Sequence, residues 1–206
     1  LDGGAVGTVI ESRSEDIPEG SHVSHQLGWR EHAVLNADDA HIIDTDIAPA
    51  SAYLSVLGMT GLTAYAGLTR AAEMKAGDAV FVSGAAGAVG SMVGQLARLL
   101  GASRVGPSTE LLGQAAPDGI DVYYDNVGGD HLEAAIDHLN IDGRVAMCGA
   151  ISQYNSVEPP CAPRNLALAI GKRLTLRGFV IAKYAEEVRP EFQQRMAEWL
   201  PADEIH

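Results

Sequence analysis

The chain has 206 residues, 47% of them apolar and 20% charged, a balance that suits a globular protein with one large domain or one domain and part of another. Its net charge of −13 argues against a nucleic-acid partner, and no run of about 18 apolar residues is available to span a membrane. Leu1-Asp-Gly-Gly does not open a signal peptide, so the expected location is the cytoplasm.

Residues 1–48 read as β-rich. Residues 5–10 form a strand, Pro18-Glu-Gly20 a turn, and residues 21–27 and 29–35 two further short strands separated near Gly28. So small a fragment cannot make a core alone, and its unpartnered opening strand suggests that earlier residues belong to the protein. His22, His25, His32 and His41 are scattered here without H-E-x-x-H spacing and read as surface histidines. Cys148 and Cys161 are the only cysteines, too few for a four-cysteine zinc site, and no C-x-x-C occurs. No zinc is expected.

From Ala48 the composition shifts toward alanine, leucine and glycine. Helices are expected over 49–57 and 62–72, broken by Gly58-Met-Thr-Gly61, and Lys75-Ala-Gly-Asp78 is a turn. Residues 79–83 are a β-branched and aromatic run that stops at Gly84, as a strand buried on both faces does. Gly84, Gly87 and Gly90 follow at G-x-x-G-x-x-G spacing. Behind them Val89, Met92, Val93, Leu96, Ala97 and Leu100 recur at helical intervals until Gly101 closes the helix. In such a strand, glycine turn and helix the backbone can approach a pyrophosphate, whose charge sits on the N–H groups of the first helical turn. Gly90 and Gly94 would also let the helix lie close to the sheet. A tight turn without a ligand is the alternative.

A second strand spans 103–106. Only about fifteen residues separate it from the next, 121–125, and a parallel crossover with its helix consumes most of that length. One strand of a six-stranded doubly wound sheet is therefore expected to be absent: either the fold is reduced or residues are missing near 106–107. No acid stands at the end of the second strand, in Gly106-Pro-Ser-Thr109, where an NAD enzyme places one for the ribose hydroxyl; Glu110 carries little weight. The α/β rhythm then resumes with a helix at 130–139, a strand at 144–148, a helix at 162–170, a strand at 175–181 and a helix at 187–200. The expected class is α/β: a Rossmann domain over 49–206 and part of a β-rich domain over 1–48.

Four motifs, Gly58-Met-Thr-Gly-Leu-Thr-Ala-Tyr-Ala-Gly-Leu68, Gly84-Ala-Ala-Gly-Ala-Val-Gly90, Asp118-Gly-Ile-Asp-Val-Tyr-Tyr-Asp-Asn-Val-Gly-Gly129 and Cys148-Gly-Ala-Ile-Ser-Gln-Tyr-Asn155, together resemble one family. It is the zinc-free branch of the medium-chain dehydrogenase/reductases that holds prostaglandin reductases, leukotriene B4 12-hydroxydehydrogenase and alkenal and curcumin reductases. The resemblance implies an NADP(H)-dependent enzyme with a GroES-like catalytic domain and a Rossmann domain. It places Thr63, Gly84, Gly87, Ala88, Val89, Gly90 and Asn126 at the cofactor. Cys148, Gly149, Ala150, Ile151, Ser152 and Tyr154 would line ribose and nicotinamide, and Phe179, Val180 and Ile181 would border the nicotinamide. The chain departs from the family in lacking the N-terminal half of the catalytic domain, the C-terminal strands, and the G-S-x-x-K segment whose lysine contacts the 2′-phosphate.

The implied reaction is reduction of the C=C bond of an α,β-unsaturated ketone or aldehyde, with hydride delivered to the β-carbon and negative charge developing on the carbonyl oxygen. Tyr154, just after a strand at the carboxyl edge, is the candidate donor to that oxygen; anchoring the cofactor or simple packing are its other readings. Asn126 either faces the cofactor or caps the helix behind it. Cys148, Tyr123, Tyr124 and Tyr65 read as packing. A quinone reductase of the same superfamily and a non-catalytic nucleotide-binding protein remain as alternatives. The sequence leaves the oligomeric state open, a homodimer included.

Overall fold

A computed structural model describes residues 3–107, 112–158, 160–202 and 204–205. By contact density the chain divides into two units: the residues up to Thr60 with those from Gln193 onward, and Gly61–Phe192.

In the first unit β1 (Ala5–Thr8), β2 (His22–His25) and β3 (His41–Ile42) form an antiparallel sheet in that order. The strand expected over 29–35 does not form. Trp29 and Val34 are exposed, so that stretch has no apolar face to pair against, and β2 takes β3 as its second neighbour through Val23 and Ile42. Nor is His25 a surface residue: it is buried, and its Nδ1 accepts the Leu27 N–H at 3.1 Å. The helix expected over 49–57 is a 3-10 turn, Ala50–Leu54.

In the second unit, α1 (Met59–Ala66) begins right after Gly58 and passes into a π turn, Gly67–Ala71. A sheet of five parallel strands follows: β4 (Ala79–Val82), β5 (Arg104–Pro107), β6 (Ile120–Asp125), β7 (Leu139–Met147) and β8 (Thr175–Gly178), in the order β5-β4-β6-β7-β8. The connecting helices are α2 (Ala88–Leu99) between β4 and β5, the short α3 (Leu112–Ala115) before β6, α4 (Gly129–His138) before β7 and α5 (Leu168–Lys172) before β8. The last helix, α6 (Ala185–Trp199), carries Pro190 inside it and belongs to the second unit up to Phe192 and to the first from Gln193.

Among the described residues this is the doubly wound order without an outer strand beyond β5, in keeping with the short interval after β5. Strand β7 starts earlier than expected because Leu139 already pairs with Ile120, past a register irregularity between Ile120 and Val122. The helix expected from 162 begins only at Leu168, and β8 ends at Gly178 instead of 181.

Both faces of the sheet are covered. Phe81, Tyr123 and Val145 lie in register on one face and pack with Leu132, Ala135 and Ile136 of α4. On the other, the fully buried Tyr124 ring lies so close to the π turn that a Cβ on Gly67 would sit 2.3 Å from it. Chain direction away from β4 reverses between its two neighbours, β5 and β6, so the switch point of the sheet lies at the carboxyl ends of β4 and β6, where ligands of open α/β sheets bind.

Candidate functional site

Among the described residues, four segments leave the carboxyl edge of the sheet: 83–90 after β4, 126–128 after β6, 148–154 after β7 and 179–183 after β8. All sixteen residues expected at the cofactor except Thr63 lie on them or, for Ala88 to Gly90, on the first turn of α2. The positions that bear on cofactor choice, Ser108, Thr109 and Glu110, lie outside the described residues.

The glycine turn is built backbone against backbone. Gly84 has φ +63° and its carbonyl accepts the Gly87 N–H at 2.9 Å. That same carbonyl lies where a side chain on Gly90 would go: a Cβ there would stand 2.1 Å from it. Gly94 does not serve the close helix-to-sheet approach expected of it, since a Cβ there meets nothing within 4 Å. Helix α2 has no side-chain N-cap and no acid in its first turn. Its leading N–H groups, which have no partner within a helix, are therefore presented in an environment that suits an anion. A pyrophosphate fits this cradle.

Asn126 does not cap α4, whose N-cap is Gly128 without a side-chain bond. Instead it reaches across to β4: its N–H donates to Ser83 Oγ and its Nδ2 to the Ser83 carbonyl, both at 2.8 Å. The loop after β7 then hangs on the loop after β6. Cys148 and Gly149 donate their N–H groups to the Asp125 carbonyl at 2.8 and 3.1 Å, Ile151 to Asn126 at 3.2 Å and Ser152 to Val127 at 3.2 Å. The Ser152 hydroxyl adds a bond to the Val127 carbonyl at 2.6 Å.

Tyr154 is two-thirds exposed, and its hydroxyl oxygen accepts the Ala150 N–H at 3.1 Å. Accepting that bond leaves the phenolic hydrogen to donate and polarises it in the donating direction. Tyr124 donates to the Thr63 carbonyl at 3.0 Å. Burial pushes its phenol well above the ordinary range, with the neighbouring Cys148 adding to the shift. Burial likewise raises the Cys148 thiol, against an opposing bond with Tyr124, so at neutral pH it stays a thiol and a poor nucleophile. Phe179 stands edge-on to Tyr124 with ring centroids 6.1 Å apart. It lies with Val180 in the loop after β8 and Ile181 opens the 3-10 turn Ile181–Lys183, so none of the three is in the strand. Tyr65 is buried and donates to Glu191 Oε1 at 2.6 Å, in keeping with packing.

Sequence reasoning passed over Ser83 and Asp125. Both are polar residues at the carboxyl ends of strands, Ser83 just after β4 and Asp125 the last residue of β6, a signal that the sequence does carry. Among the described residues, no group of three or more histidine, cysteine, aspartate or glutamate side chains is placed to hold a metal ion.

A family model described as the N-terminal domain of oxidoreductase matches residues 1–43. The NADPH-dependent curcumin reductase of Escherichia coli is 36% identical over an alignment that takes in 99% of this chain and 68% of that protein. The chain belongs to the zinc-free medium-chain dehydrogenase/reductases. Another member, the NADP-dependent 2-alkenal reductase of Nicotiana tabacum, is 35% identical over 94% of the chain and 66% of its own length. The crystal structure of CurA in complex with NADPH from Vibrio vulnificus superposes with a TM-score of 0.86 at 31% identity, covering the whole chain and 70% of that protein. The Escherichia coli alignment runs over 235 positions against 206 residues here, so that dehydrogenase/reductase has interior residues with no counterpart in this chain.

Proposed function

We propose that this protein is an NADPH-dependent reductase of the C=C bond of α,β-unsaturated ketones or aldehydes. The observation that carries the reading is the glycine turn at the switch point of the sheet, so tight that a Cβ on Gly90 would stand 2.1 Å from the Gly84 carbonyl oxygen, in a chain whose relatives include a curcumin reductase and a 2-alkenal reductase. We further propose that residues 1–48 are part of a GroES-like catalytic domain and 49–206 the Rossmann domain. Interior residues would be absent near 106–107; the length of the alignment supports their absence, and the described sheet, which ends at β5, supports the place.

Bound NADPH supplies a hydride from its nicotinamide ring. The chain's own residues bind, orient and stabilise. The turn 84–90 and the first turn of α2 hold the pyrophosphate, and Asn126 keeps the β6 loop against β4. Residues 148–152 form the wall for ribose and nicotinamide together with Thr63, Phe179, Val180 and Ile181. Tyr154 donates its phenolic hydrogen to the substrate carbonyl oxygen as negative charge develops there, a contribution of the order of 3–4 kcal/mol for one well-placed donor.

With NADPH and a panel of enals and enones, absorbance at 340 nm should fall and the product should be the saturated carbonyl compound. Hydroquinone formation from quinones with enones untouched would favour the quinone reductase reading. Cofactor binding without turnover of either class would leave a binding protein.

A further inference from the structure

Asp125 ends β6 with its side chain 1% exposed, and a buried carboxyl group is costly unless its oxygens are satisfied. Here a single oxygen, Oδ1, accepts four donors: Ser83 Oγ at 3.0 Å, Tyr123 OH at 3.2 Å, and the N–H groups of Val127 at 3.1 Å and Gly128 at 2.9 Å. The main-chain carbonyl of the same residue accepts Cys148 and Gly149. Besides Tyr123 on β6 itself, these contacts reach three parts of the site. Ser83 precedes the glycine turn, Val127 and Gly128 form the loop after β6, and Cys148 and Gly149 open the loop after β7. The carbonyls of Asn126 and Val127, fixed by that turn, in turn hold Ile151 and Ser152.

We propose that Asp125 is the positioning residue of this site: its carboxyl group sets the 126–128 turn, and through that turn's carbonyls it sets the shape of the 148–154 loop that carries Tyr154. The proposal deepens the reductase reading and rests on it only for the assignment of the loops to cofactor. Asp125 lies beneath the loops and acts through Ser83, Val127 and Gly128.

The test compares Asp125→Asn and Ser83→Ala with the parent protein. Asparagine keeps one acceptor oxygen and replaces the other by an N–H donor. Alanine removes the hydroxyl that joins β4 to both Asp125 and Asn126. By amide hydrogen exchange without any ligand, peptides covering 126–128 and 148–154 should exchange at least tenfold faster in each variant, while the centres of β4 and β6 stay within twofold. Unchanged exchange in the loops, or equal acceleration across the sheet, would overturn the proposal. The second readout is NADPH affinity by nicotinamide fluorescence. Each variant should raise Kd about tenfold, and the double variant little more than the larger single effect, because both act on one network. Multiplying effects would also count as refutation. If the parent protein fails to take up NADPH, the reductase reading falls while hydrogen exchange still decides the role of Asp125. Should Asp125→Asn not fold, Ser83→Ala carries the test alone.

Discussion

Gly90→Ala will raise the Kd for NADPH by a hundredfold or more while the protein stays folded. The added Cβ would stand 2.1 Å from the Gly84 carbonyl oxygen, 2.8 Å from its carbon and 2.9 Å from Ala85 Cα. All three are backbone atoms, so no side-chain rotation relieves the clash. The turn must move away from the start of α2, and the N–H groups that would meet the pyrophosphate lose their common focus. Gly94→Ala is the matched control, one helical turn further along α2 with nothing within 4 Å of its new Cβ. There alanine should leave affinity unchanged and add roughly 0.5–1 kcal/mol of stability, the usual gain over glycine in a helix interior. Fluorescence titration with NADPH and thermal unfolding of both variants check the pair. A Gly90→Ala Kd within threefold of the parent would mean that the turn does not hold the cofactor.

Tyr154→Phe carries the second large expected effect. It removes one hydroxyl oxygen and keeps the ring. If the phenol donates to charge that exists only in the transition state, kcat and kcat/KM for an enone should fall together by about 10²-fold or more, with NADPH affinity nearly unchanged. If its role is to anchor the ribose, the loss moves to the NADPH Kd and kcat at saturating cofactor survives. Stability should change little in either case, because the side chain is two-thirds exposed and its bond to the Ala150 N–H lies within one loop. Wild-type kinetics together with wild-type affinity would remove Tyr154 from the mechanism.

The parts of this molecule that are legible in sequence are those whose cause is local. Val80 to Val82 read as a buried strand because both faces are apolar, and the three glycines read as a turn because their spacing and the amphipathic helix behind them are contiguous. That the described sheet stops at five strands was legible from an interval after β5 that holds one crossover but not a further strand. Features decided by a partner were not. Residues 29–35 have a strand-like composition but no neighbour to pair with, and β2 finds His41–Ile42 instead. Gly94 looks like a close-approach residue from its spacing to Gly90, yet only the fold shows that the contact is made by Gly90 against Gly84. Asp125 is the clearest case. Of its four donors, Tyr123, Val127 and Gly128 lie within three residues along the chain, but Ser83 adjoins it only once β4 and β6 lie side by side.

The protein is expected to move a hydride from NADPH to the β-carbon of a conjugated carbonyl compound. NADPH deuterated at nicotinamide C4, in each stereochemical form, with an unlabelled enone and analysis of the product by NMR, tests it most directly. With one of the two forms the deuterium should appear on the β-carbon of a saturated ketone, and the proton gained at the α-carbon should come from solvent. Deuterium on the carbinol carbon of an allylic alcohol, or oxidation of NADPH with no deuterium in any product carbon, would contradict the account.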